Sequence, residues 1–89
     1  MEANLAEFYF WRVTKSVFTE RYQTFLSLLI AARYKQGLTQ RDIALKLNTV
    51  HSFVAKYERG ERRLDVIEFL DIAKALEADP LKIIKQLLE

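Results

Sequence analysis

The side chains best placed to do chemistry are cationic, and they crowd the middle of the chain. Between Arg33 and Arg63 stand eight basic residues (Arg33, Lys35, Arg41, Lys46, Lys56, Arg59, Arg62 and Arg63) against three acidic ones, Asp42, Glu58 and Glu61. From Leu64 onward the balance reverses, with three lysines against six carboxylates. A basic middle joined to an acidic end suggests one surface built for phosphate and another turned away from it. The same inventory argues against catalysis. One histidine, no cysteine and no phosphate-cradling glycine loop leave only scattered carboxylates, which read as helix caps and surface charge. No enzyme, no metal site and no cofactor is expected.

The elements that carry these residues must fit one domain, because 89 residues cannot hold two independent cores. Half the chain is apolar, with six Phe, four Tyr and one Trp, so a core can form without disulfides or metal. Two glycines and one proline are too few for the tight turns of an all-β chain. The longest apolar stretch, residues 25–32, contains Ser27 and ends at Arg33, far short of a membrane span. Glu2 and Glu7 stand where a secretory leader would want positive charge. The expected protein is soluble and cytoplasmic, with no membrane partner.

Helix punctuation is dense. Over residues 20–36, Tyr22, Phe25, Leu26, Leu29 and Ala32 recur at helical spacing, and Gly37 follows where a left-handed cap suits glycine. Thr39 with Asp42 resembles a capping box opening a second helix over about residues 39–47, with Ile43, Ala44 and Leu47 inward. Asn48 is a good non-glycine stop. A third helix over about residues 50–59 buries Val54 and part of Tyr57 and ends at Gly60. Either Thr49 caps it, or Val50 stands at the cap unaided. Asp65 with Glu68 opens a fourth helix, with Leu64 and Phe69 as a hydrophobic staple and Val66, Phe69, Leu70, Ala73 and Leu76 inward. Asp79-Pro80 starts a fifth, apolar at Leu81, Ile83, Ile84, Leu87 and Leu88, a stripe wider than one core needs. Residues 1–18 form an extension whose aromatic run Phe8-Tyr9-Phe10-Trp11 has neither helical nor strand period and is expected to pack on the domain or on a partner chain.

The fold class expected is therefore all-α: a compact five-helix domain over residues 19–89 behind an N-terminal extension of uncertain structure. Two short helices joined by a turn of about three or four residues form a helix-turn-helix, whose second helix enters the major groove of DNA. The run Gly37-Leu38-Thr39-Gln40, then Ile43-Ala44, Leu47, Ser52, Val54 and Tyr57-Glu58-Arg59-Gly60, followed by Asp71-Ile72-Ala73-Lys74-Ala75-Leu76, resembles the XRE family of Cro- and phage-repressor-like domains. The resemblance covers about residues 20–88 without a gap. It implies a lambda-repressor-like fold and a bacterial or phage regulator that binds specific double-stranded DNA, in the first instance as a repressor.

Roles follow for particular residues. His51 and Ser52 lie on the first turn of the third helix, the part that reaches base edges in this docking mode, and Ala55 and Lys56 continue its exposed face. Many relatives carry glutamine where His51 stands. A histidine cannot reproduce glutamine's paired contact to adenine, and is expected to donate to a guanine acceptor or to a phosphate. Phe53 either meets a thymine methyl or, as favoured, packs back on the second helix. Thr39, Gln40, Arg59, Arg62 and Arg63 are placed to hold the DNA backbone. The resemblance implies in addition that Gln40 braces the recognition helix and that Arg33 pairs with Glu58 between the first and third helices.

A single short recognition helix reads few bases, so a homodimer on two-fold symmetric half-sites is expected, with Trp11, Ile84, Leu87 and Leu88 as interface candidates. Two relatives in function stay open beside the plain repressor. One is an antitoxin whose N-terminal segment covers a protein partner; the other is a restriction-modification controller.

Overall fold

The structure, a computed structural model, describes residues 19–89. The extension over residues 1–18, Trp11 as a dimer contact and the partner-binding role of that segment all lie outside the described residues. Five helices follow in order: α1 Glu20–Lys35, α2 Gln40–Lys46, α3 His51–Glu58, α4 Val66–Ala75 and α5 Pro80–Leu88. No strand occurs among the described residues, so the domain over residues 19–89 is all-α as its punctuation predicts.

Local chemistry sets the boundaries. Thr19 caps α1 through Tyr22, and Thr39–Asp42 and Asp65–Glu68 close full capping boxes at α2 and α4. Asp79 caps α5, with Pro80 in its first turn. The exception is α3, where Val50 is the N-cap and makes no side-chain cap bond. Four helices stop in the same way: the residue after the C-cap turns left-handed and two backbone bonds close over the last turn. Gly37, Asn48, Gly60 and Glu77 occupy that position, with φ of 69°, 55°, 79° and 54°. At α2, for example, Asn48 N–H donates to Leu45 C=O and Thr49 N–H to Ala44 C=O. Glu77 is the one of the four that is neither glycine nor asparagine, and a left-handed residue with a Cβ costs about 1–2 kcal/mol. Glu77→Gly is therefore expected to raise stability by up to about 1 kcal/mol once the entropy of the unfolded glycine is offset. A chemical melt with a lowered midpoint would show that this turn carries no strain.

The core gathers one stripe from each helix. Leu29, Ile43, Val54 and Ala73 are fully enclosed, and Tyr57, Ile72 and Leu76 nearly so. Phe25 meets Phe69 edge-to-face at 5.2 Å, which joins α1 to α4. The Leu64 N–H donates to the Tyr22 hydroxyl at 3.2 Å, tying the loop before α4 back onto α1. Tyr57, expected to be partly buried, is 1% exposed, and burial pushes its phenol well above the usual tyrosine range.

Two expectations for α4 fail. Val66 and Leu70 are 69% and 42% exposed, and Ile72 takes the inward place instead. Val66 and Leu70 border an open apolar recess with Tyr22, Phe25, Ile84 and Leu87. Periodicity marks the side of a helix, not how far the core extends along it. No described helix is long and apolar enough to cross a membrane.

Candidate nucleic-acid interface

The site is built where α2 and α3 meet α1. The α2 capping box comes first. Asp42 N–H donates to Thr39 Oγ1 at 3.1 Å, and Thr39 N–H returns to Asp42 Oδ2 at 2.8 Å. Hydrogen bonds from the Thr39 backbone and then its side chain hold the Asp42 carboxyl below the usual carboxylate range. The Thr39 hydroxyl and main-chain N–H are thus both engaged with Asp42.

Gln40, the first residue of α2, sits between two groups of α3. Its Nε2 donates to Glu58 Oε1 at 2.8 Å, and its Oε1 lies 3.1 Å from His51 Nε2. Glu58 is in turn held by Arg33 of α1, whose Nε and Nη2 donate to the two carboxylate oxygens at 2.7 and 3.0 Å. Arg33 Nη1 donates to the Leu38 carbonyl at 3.0 Å, fixing the turn between α1 and α2. The hydrogen bond from Arg33 to Glu58, more than their mutual charge, raises the guanidinium's pKa further above its ordinary value, against the opposing effect of burial. The pair the family resemblance implied is present, with side chains 10% and 5% exposed. It is one link in a chain that runs Arg33, Glu58, Gln40, His51 and so sets α3 against both preceding helices.

On α3, His51, Ser52 and Lys56 are exposed. Ala55 is not: it is 9% exposed, which corrects its place on the outward face. Because α3 packs on both α1 and α2, its buried arc widens to take in Val54, Ala55 and Tyr57 together. Phe53 is half-buried, its ring edge-to-face with Tyr57 at 5.6 Å and covered by the Arg62 guanidinium at 5.4 Å. Of its two readings, packing is the one observed, although its contact is with Tyr57 and Arg62. Val50, not Thr49, proves to be the α3 cap.

Beyond α3 the arginines already have protein partners. Arg59 donates to both oxygens of Glu61, at 2.8 and 3.2 Å, and the pair is more than half exposed. Hydrogen bonding raises the Arg59 pKa and lowers that of Glu61. Arg62 pairs with Glu68 at 2.5 Å and donates to the Arg63 carbonyl. Exposed pairs like these contribute little to stability, so a phosphate can displace their carboxylates at small cost. Nothing in the sequence pointed to the Arg62–Glu68 contact, six residues apart across a loop. Ile84 and Leu88 are 41% and 77% exposed, and Leu87 is half-buried against the core.

Two short helices at this spacing, the second with a polar outer face and a braced first turn, define a helix-turn-helix domain. The helix-turn-helix family HTH_3 matches residues 29–83. The chain is also similar to an XRE-family like protein from Pseudomonas syringae pv. tomato, with 44% identity and a TM-score of 0.77 over 83% of this chain and 92% of that one. It is similar to the restriction-modification controller protein C.AhdI from Aeromonas hydrophila, with 30% identity and a TM-score of 0.62 over 67% and 91% of the two chains. A point mutant of the restriction-modification controller C.Esp1396I matches at 26% identity and a TM-score of 0.70, over 79% and 89%. No curated protein matches. The chain belongs to the XRE family of helix-turn-helix proteins, a family of DNA-binding transcription regulators rather than of enzymes.

Proposed function

We propose that the chain is a repressor that binds duplex DNA as a homodimer, with residues 19–89 as the binding unit and α3 in the major groove of each half-site. The observation that carries this reading is the first turn of α3: His51 and Ser52 stand clear of the core beside Lys56, and Gln40 braces the turn from the side. His51, Ser52 and Lys56 reach base edges, while Thr39, Gln40, Arg59, Arg62 and Arg63 hold phosphates and set the register. Gln40 can brace and clamp at once, because its main-chain N–H lies at the α2 N-terminus. Such a protein works on the chromosome, in the bacterial cytoplasm.

Dimerisation is assigned to the apolar face of α5, through Ile84, Leu87 and Leu88, continued by Val66 and Leu70 of α4. A strict monomer at high micromolar concentration in sedimentation would remove this part of the reading. The likeness to C.AhdI at 30% identity specifically favours a controller of a restriction-modification system among repressors.

Selection from a random duplex library is the direct test. A two-fold symmetric consensus should emerge, bound about 1,000-fold or more tighter than scrambled DNA. Lys56→Ala should change base preference within each half-site. Arg62→Ala should weaken all sites alike and lower the salt slope by about one per subunit. Equal, weak binding to every duplex would show that the basic surface only attracts phosphate.

A further inference from the structure

His51 is the chain's single histidine, and its two ring nitrogens are set apart by the bonds behind it. Glu58 is a carboxylate gripped by Arg33, so its oxygens only accept. The Gln40 atom 2.8 Å from Glu58 must then be the amide nitrogen, which turns the amide carbonyl toward His51. A carbonyl oxygen also only accepts, so His51 Nε2, 3.1 Å away, carries the ring hydrogen. In a neutral imidazole the remaining nitrogen, Nδ1, is a bare acceptor. Nδ1 has no hydrogen bond among the described residues, and the ring is exposed at the start of α3. The residue types alone suggested a donor to guanine or phosphate. The bond chain reverses that for the uncharged ring.

We propose that His51 is a specificity-determining residue whose Nδ1, the bare acceptor of the neutral ring, selects an amine-bearing base. This rests on the DNA-binding reading above. An acceptor at Nδ1 matches the adenine N6 or cytosine N4 amine; a donor matches guanine N7 and O6 or thymine O4. Gln40 is the positioning residue: without it, Nε2 and Nδ1 are free to exchange the hydrogen.

Two measurements test this. In nitrogen-15 NMR of the free protein, the lone histidine gives one imidazole pattern. At alkaline pH the hydrogen should sit on Nε2 alone, and Gln40→Ala should shift the ring toward a mixture of tautomers. A hydrogen found on Nδ1 in the neutral wild-type ring overturns the proposal without touching the DNA reading. Library selection at the same alkaline pH supplies the functional arm. At the base under the first turn of α3, adenine or cytosine should be preferred over guanine or thymine by roughly fivefold to tenfold. His51→Ala should lose that preference and keep the rest of the consensus. A wild-type preference for guanine or thymine at that base overturns the proposal. Absence of any consensus removes the DNA reading itself and this inference with it, whatever the tautomer.

Discussion

Glu58→Ala should destabilise the fold by about 3–5 kcal/mol, as expected when one partner of a buried ion pair is removed. The cost does not measure the strength of the pair. Arg33 would keep its charge in a site where its side chain is 10% exposed, with only the Leu38 carbonyl and the neutral Tyr34 side chain beside it and no carboxylate. Gln40 Nε2 would lose its acceptor at the same time. Replacing both partners with apolar residues of similar size, Arg33→Met with Glu58→Leu, should recover most of the loss, because two desolvated charges disappear together. Urea melts of the single and double variants provide the check. If Glu58→Ala lies within about 1 kcal/mol of the wild type, the pair behaves like a surface contact and solvent reaches it. The double variant separates stability from function. Its core is satisfied, but Gln40 no longer has a carboxylate to orient it, so a well-folded protein should bind DNA with a loosened preference at the base under His51.

How much of this could be read from the residues depends on the range of the interaction involved. Helix starts were legible because a cap is local chemistry: Thr39 with Asp42, Asp65 with Glu68 and Asp79 before Pro80 each act within one turn. Stops at Gly37, Asn48 and Gly60 were legible because few residue types tolerate positive φ. Glu77 makes the same turn without such a preference, so its neighbours impose it, and no local signal announces it. The errors at Ala55, Val66 and Leu70 share another cause. Each depends on where adjacent helices end or overlap, which spacing along one helix does not contain. The candidate site was legible as a set of residues and not as a mechanism. Gln40 and His51 are 11 positions apart, and only their meeting at 3.1 Å decides which nitrogen of the ring faces outward.

Ile43→Ala should cost about 2–5 kcal/mol, since a fully enclosed side chain leaves both its transfer free energy and a cavity behind. Two positions along the same helix, Leu45 is 79% exposed, and Leu45→Ala should change stability by no more than about 0.5 kcal/mol. The contrast matters for function because Ile43 lies between the Gln40 brace and the end of α2, on the face that supports α3. A domain of this size has roughly 5–15 kcal/mol of stability in all, so Ile43→Ala leaves a protein that is partly unfolded when warmed. DNA should restore it. A ligand that binds only the folded state, at about 1,000 times its dissociation constant, adds about 4 kcal/mol. The melting temperature of Ile43→Ala should therefore climb with the selected duplex and stay nearly still with scrambled DNA at moderate salt. If both duplexes raise it equally, stabilisation comes from phosphate contacts alone, and α3 reads no sequence. If neither does while Leu45→Ala still binds, the lost methylenes have moved α3 itself, and the packing beneath the recognition helix is then as much a part of the site as His51 and Lys56.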